Sequence, residues 1–447
     1  MPRNKPRIVL YAAALAFASF SGRQLHADDG AETQQQLRKL SEENRALQEQ
    51  LRRQQELIES LTGKVNAIQE ASSQRAREGE PAPSEAKEAG PASKTSGTFG
   101  FGKVNISGEG GVAFFNTGSE GIFPNAEFRV DEAKLFVEAP VWGDVYFFTE
   151  LNLASRELDG LELRLGELYL DFENVSQLWN QDRMLNVRAG RFDIPFGEEY
   201  LARDAIDNPL ISHSLSDLWG VDEGLELYGK VGEASYVLAV QNGGVSGTRD
   251  FDRDKSVAGR LGFDPANWLH LSVSGMRTGD LDAQNDFLSE LWFGNGLFRS
   301  LGSTNTTKFH ASLIEGDVQV RLPHGHVNAF GGYVRYGDND PAGENRRDVY
   351  YYSIEGVHEL THKLYAGVRF SQIFAPKGFP VVGHGEFGEY FFNELTTDLW
   401  RLSLGAGYRW SPNLLVKAEY SFERGRELSG DTRDHEDLFA VEAAFKF

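Results

Sequence analysis

The chain has no cysteine among its 447 residues. Disulfides, thiolate metal sites and cysteine nucleophiles are therefore excluded, and stability has to come from packing and hydrogen bonding. Long apolar runs are missing too: beyond Phe20 nothing approaches the roughly 18 uninterrupted apolar residues that a membrane-crossing helix needs. Basic residues are few beside acidic ones, 45 against 66, and a net charge of -21 opposes binding to nucleic acid or to an anionic lipid surface. No nucleic-acid partner is expected. Methionine falls to 3 residues, whereas 48 Gly, 31 Phe, 15 Tyr and 7 Trp suit twisted strands and aromatic belts better than a helical core.

The one apolar run that is present opens the chain. Arg3, Lys5 and Arg7 precede it at residues 8–20, and Leu25-His26-Ala27 supplies a small residue before Asp28-Asp29, so 1–27 reads as a secretory signal peptide. As a membrane anchor, about 13 apolar residues would make a helix of roughly 20 Å, short of the roughly 30 Å hydrocarbon core.

Residues 31–72 carry a heptad pattern, with Leu37, Asn44, Leu51, Ile58 and Val65 at one apolar position and Leu40, Leu47, Gln54, Leu61 and Ile68 at the other. A lone helix would expose that narrow stripe, so a parallel α-helical coiled coil is expected; Asn44 fixes its register, and two or three strands both remain open. Residues 73–97, with Pro81, Pro83 and Pro91, read as an extended linker.

From 98 to 447 the pattern changes to alternating apolar and polar residues between turn clusters. In the last segment Phe439, Val441, Ala443, Phe445 and Phe447 share one face, and Ala440, Glu442, Ala444 and Lys446 the other. Trp400, Leu402, Leu404, Ala406, Tyr408 and Trp410 likewise oppose Arg401, Ser403, Gly405, Gly407 and Arg409. About sixteen such segments can be placed, at 103–116, 127–139, 143–155, 161–173, 184–192, 224–231, 234–242, 256–264, 268–277, 307–322, 326–337, 347–359, 362–373, 398–410, 413–424 and 435–447. Their connections alternate. Long ones fall near 117–126, 156–160, 193–223, 243–255, 278–306, 338–346, 374–397 and 425–434, and mostly short ones fall between. Alternation alone also describes a soluble sandwich. Segments of about 9 to 13 residues with aromatic ends, long loops on one rim and short turns on the other instead predict an all-β transmembrane barrel of about 16 antiparallel strands in an outer membrane. Its partners would be outer-membrane lipid and small ions and solutes, in a Gram-negative-type cell, with the coiled coil in the periplasm.

The stretch Val187-Arg188-Ala189-Gly190-Arg191-Phe192-Asp193-Ile194-Pro195-Phe196-Gly197-Glu198-Glu199, following Gly166-Glu167-Leu168-Tyr169-Leu170-Asp171-Phe172, resembles the corresponding region of the phosphate-selective porin (porin O and P) family. That resemblance implies a sixteen-stranded trimeric channel whose third external loop folds inward and narrows the pore, and hence a three-stranded coiled coil. The third long connection found above, 193–223, agrees in placement. In barrels of the resembling class a terminal aromatic is presented to the barrel assembly machinery, a role that falls to Phe447 with Phe445.

A pore selects by rings of charge at its narrowest level. Strand parity puts Arg188, Lys230, Arg260, Arg369, Arg401 and Arg409 on the inner wall, together with Lys103, Lys134 and Lys417. Acidic wall positions are as numerous and include Glu226, Glu355, Glu419, Glu423 and Glu442. The third loop carries Asp193, Glu198, Glu199, Asp204 and Asp207, with Asp217, Asp222 and Glu223 further on, against Arg203 alone. Those carboxylates favour cations if they face the lumen, and the phosphate implied by the resemblance requires the opposite, so the sign of selectivity stays open. Asp250, Asp252 and Asp254 alternate as in a calcium loop but lack its Gly and Glu, so they read as a surface loop, and no metal or cofactor is expected. Asp431, Asp434, His435, Glu436 and Asp437 read as a solvated loop. His213-Ser214 and Asp434-His435 supply residue types for hydrolysis but no catalytic spacing, so an enzyme is not expected. The alternative function is an envelope tether, with the barrel anchoring a coiled coil of about 60 Å that reaches toward the cell wall.

Overall fold

The computed structural model describes residues 99–101, 103–155, 163–243, 250, 253–283, 297, 301 and 305–447. The expected signal peptide, coiled coil and most of the linker lie outside the described residues, as does the centre of the 250–254 loop.

Sixteen long strands follow one another: β1 (Val104–Thr117), β2 (Glu127–Trp142), β3 (Val145–Ser155), β4 (Arg164–Phe172), β5 (Asn186–Asp193), β6 (Val221–Val231), β7 (Ala234–Gln241), β8 (Ser256–Ala266), β9 (Leu269–Arg277), β10 (Lys308–Leu322), β11 (Gly325–Asp338), β12 (Arg347–Glu359), β13 (Leu364–Phe379), β14 (Thr396–Ser411), β15 (Leu414–Glu427) and β16 (Leu438–Lys446). Three short pieces, Phe99–Phe101, Leu281–Asp282 and Thr432–Arg433, lengthen the ladder locally. Each long strand pairs antiparallel with the next. β16 then pairs with β1 from Leu438↔Thr117 to Lys446↔Glu109, and the sheet closes. The sixteen segments expected from alternation are all present, within a few residues of their expected ends.

The third long connection is shorter than its expected span. Phe192↔Asp222 and Asp193↔Val221 continue the β5–β6 ladder, so Asp193 ends a strand, Asp222 and Glu223 belong to the next, and the loop proper is 194–220. On the opposite rim the 173–185 connection is longer than a tight turn. It contains the 3-10 turn Val175–Trp179 between Asn174 and Asn180, both left-handed, a conformation Asn tolerates better than most residues.

Period two decides which way each side chain points. Along β16 Phe439, Val441 and Phe445 are exposed on the outside, while Ala440, Glu442 and Ala444 are buried inside. Exposed aromatics form two outer bands, with Trp142, Trp268, Tyr408 and Trp410 toward the short-turn rim and Phe128, Tyr350, Phe374 and Tyr420 toward the long-loop rim. That is the girdle arrangement of a barrel crossing a bilayer.

The closing seam extends to the last residue. Phe447 N donates to Gly108 O at 2.9 Å, and Gly108 N donates to Phe447 O at 3.1 Å. A Cβ on Gly108 would lie 2.6 Å from Cζ of Phe447, and one on Gly110 would lie 3.1 Å from Cζ of Phe445. The two terminal rings therefore lie over glycines of β1, where only a missing side chain leaves room, and they cover backbone that would otherwise face the outside. Replacing Phe447 with Asp removes this cover and puts a charge on the outer face. Phe447→Asp is expected to lower the fraction of chain refolding into a detergent-resistant, heat-modifiable barrel, as read by gel mobility; a wild-type yield would remove the seam's dependence on that ring.

Candidate permeation path

The 194–220 loop turns into the barrel and meets side chains of the inner wall. Its neck is tied by Ile194 N to Gly220 O at 2.8 Å, and Gly197, at φ +68°, turns the chain inward. A Cβ there would sit 2.3 Å from Oε1 of Glu315, so glycine is required by space as well as by conformation. Gly197 N donates to Ser274 Oγ at 3.0 Å, and Arg260 donates to the Gly197 carbonyl. Beside it, His270 bridges two carboxylates, with Nε2 2.8 Å from Glu198 Oε1 and Nδ1 2.7 Å from Asp264 Oδ1.

Further along, the loop ties itself together. Ser214 donates from its backbone N and its hydroxyl to Glu199 at 2.8 and 2.6 Å. Arg203 grips Asp217 at 3.0 and 3.1 Å, His213 Nδ1 lies 3.3 Å from the same carboxylate, and the Arg203 guanidinium covers the Trp219 ring at 4.1 Å. The His213 ring and the Ser214 hydroxyl thus have separate partners rather than each other. Burial works against the charge on Asp217, but Arg203 and His213 hold its carboxyl well below the usual carboxylate range. Glu199 is pushed up by burial and then by the Asp217 carboxylate.

Cations and two carboxylates of the wall then fasten the loop. Lys417 Nζ donates to the carbonyls of Ala205, Asn208 and Leu210 at 2.7, 3.2 and 2.8 Å and lies 2.8 Å from Glu442. Glu419 accepts from Ile211 N at 2.5 Å, from Ser212 N at 2.8 Å and from the Ser212 hydroxyl. Arg369 donates to Ser212 O at 2.5 Å and Asn208 Oδ1 at 2.8 Å while paired with Glu355. Arg401 donates to His213 O at 3.0 Å while paired with Glu423 at 2.5 Å. On β2 Lys134 meets Asp204 at 2.5 Å, and Glu132 accepts from Ala205 N at 2.6 Å.

Of the remaining basic wall positions, Lys230 and Arg409 are exposed, the first 3.5 Å from Asp264 and the second over the Tyr365 ring at 5.3 Å. Arg188 lies over the rings of Tyr169 at 4.2 Å and Tyr228 at 5.2 Å, with Asp171 and Glu226 each 3.1 Å from its guanidinium. The stack continues through Phe148, 5.1 Å from Tyr169, to Phe136 at 6.0 Å. Asp207 lies 3.9 Å from Lys446 at the short-turn rim, and Asp193 donates its backbone N to Glu167 at 3.1 Å.

Parity places Arg369, Arg401, Lys417 and Glu419 inside but does not say that they read loop backbone, and nothing in the sequence marks Asn208 or Ser212 as their partners. The 428–437 connection also departs from its expected solvated character. Arg433 and Glu436 are fully buried and paired at 2.8 and 2.5 Å, and Arg433 also donates to Val381 O, Val382 O and Thr396 Oγ1 and lies over the Tyr390 ring at 3.5 Å. A buried guanidinium fastens this connection to the 380–395 one.

Against solved structures the closed barrel has clear counterparts. The anion-selective porin from Comamonas acidovorans aligns with a TM-score of 0.52 at 9% identity, covering 77% of this chain and 98% of that one. The outer membrane channel DcaP of Acinetobacter baumannii gives 0.51 at 12%, over 77% and 97%. OmpT, an outer membrane protein of Vibrio cholerae, gives 0.51 at 11%, over 79% and 100%. The chain has the porin fold. No known protein family and no curated protein matches it by sequence, so the likeness is one of fold.

Two outcomes follow from the loop's fastening. Lys417→Met removes one member of a buried pair and three loop contacts, a loss of about 3–5 kcal/mol for such a pair; folded barrel carrying it should be cut by trypsin at Arg203, whereas wild type should resist. The folded pKa of Asp217 lies below its unfolded value, so its stabilisation is present above about pH 4 and lost as pH falls through the folded value. Loop protection should therefore persist at neutral pH and fail in stronger acid with pepsin, and Asp217→Asn should lose protection across the range.

Proposed function

We propose that the chain is an outer-membrane porin, a water-filled channel for small ions and solutes, in which the 194–220 loop narrows the passage. The observation that carries this reading is that the loop leaves the wall between β5 and β6 and is fastened on the opposite side of the ring, by Arg369 on β13 and Arg401 on β14. A loop bonded across a lumen restricts what passes beside it. The solved structures of like fold support the channel, since they include an outer membrane channel and an anion-selective porin. The heptad segment at 31–72 supports self-association through a periplasmic coiled coil, and the resemblance to trimeric porins makes that assembly a homotrimer. Reconstituted into planar bilayers, purified protein is expected to give stepwise conductance increments. Replacing 201–216 with a short Gly-Ser link should enlarge each step; folded barrel that never conducts would refute the channel, and unchanged steps would refute the narrowing.

A further inference from the structure

Apolar packing divides the barrel interior. On the β8–β14 side, Leu313, Tyr336 and Ile373 cluster with Phe196 and Leu215 of the inward loop and Val381 of the 380–395 connection. Phe115, Phe123 and Ile211 pack together toward the long-loop end of β1 and β16, and Ala205, Tyr365 and Leu415 pack toward the short-turn end. Water and ions have no place in such clusters. Among the described residues the inner face of β2–β6 differs: Glu138, Glu150, Glu167, Asp171 and Glu226 lie along it beside the aromatic stack.

The charge of this lane determines what it conducts. Arg369, Arg401 and Lys417 stand on β13, β14 and β15, outside the lane, and hold loop carbonyls, so they are not presented to a solute in it. The cations within it are also committed. Lys134 lies 2.5 Å from Asp204, 3.7 Å from Glu132 and 3.9 Å from Glu109. Arg188 is held by two carboxylates beside two tyrosine rings, and Lys230, at the short-turn end of β6, lies 3.5 Å from Asp264; at the lane's border Arg260 on β8 is held by the Gly197 carbonyl with Glu198 at 3.7 Å. The lane is therefore net negative.

We propose that this lane is a cation path, passing small cations, organic ammonium and guanidinium compounds among them, in preference to anions. The inference rests on the channel reading above. Two cations of the chain itself show how the lane replaces lost hydration: an ammonium among three carboxylates at Lys134, and a guanidinium with carboxylates at its edge and rings on its faces at Arg188. A permeating cation meets the same groups, whereas an anion meets carboxylates and donors already engaged.

The test is the reversal potential of the wild-type channel across a potassium chloride gradient, followed by the Glu150→Gln/Glu167→Gln double variant. The expected wild-type potential has the sign for potassium, and the variant lowers the potassium-to-chloride permeability ratio at least about twofold. A chloride-signed or zero potential in a conducting wild-type channel overturns the cation path and leaves the channel standing. An unchanged ratio in a conducting variant overturns the assignment to this lane. Failure of folded wild type to conduct removes the channel reading and the cation path together. If the double variant does not fold, Glu138→Gln replaces it with the same expected direction.

Discussion

Closure of the backbone ladder is the constraint from which everything else in this barrel follows. In hydrocarbon an unpaired N–H or C=O costs several kcal/mol, so a sheet that spans it can leave no edge. The β16–β1 pairing meets that demand, and the reciprocal bonds between Phe447 and Gly108 carry it to the chain's last residue. Once the ring is closed, period two fixes one face outward and one inward around the whole circumference. A one-residue slip of β16 would turn Ala440, Glu442 and Ala444 to the lipid and Phe439, Val441 and Phe445 to the lumen, so the register is held by the hydrophobic pattern as well as by the ladder.

The inward face of a closed barrel can take charge, provided each charge finds a partner. Lys417, Arg369 and Arg401 are buried, and a buried cation with nothing to hold costs far more than its attraction to a single carboxylate returns. The 194–220 loop supplies the missing acceptors as backbone carbonyls, and Glu419 in turn takes backbone donors that the loop could not bury alone. Loop and wall are therefore mutually dependent. Without the loop the wall would need water at those cations, and without the wall the loop's carbonyls and N–H groups would be stranded beside apolar clusters.

Most of the barrel is legible in the sequence because both of its signals are local. Alternation in segments such as 398–410 gives strand and face together, and turn residues such as Pro412-Asn413 give the breaks. The interior is legible only in part. Parity puts Arg401 inside, but its partners are Glu423 on the next strand and a carbonyl at His213, far away in sequence, and no local pattern encodes that meeting. Glu436 shows the same limit from the other direction. In sequence it sits among Asp434, His435 and Asp437 like any solvated acidic run, yet it is buried because Arg433, three residues before it, turns in to bind the carbonyls of the 380–395 connection.

This division explains why the count of basic wall residues is a poor guide to selectivity. A cation on the inner wall acts on a solute only if its field is not already taken up by a nearer partner, and at a few ångströms a carboxylate or a carbonyl is always nearer than an ion crossing the lumen. Arg188 and Arg369 share the same parity, but one stands in the lane between tyrosine rings with two carboxylates, and the other under the loop with Glu355 and the Ser212 carbonyl. The wall's arginines act first as fasteners. In the cation path proposed above, the charge that remains for a solute is set by the carboxylates of β2–β6, whose number is not matched by cations on the same strands.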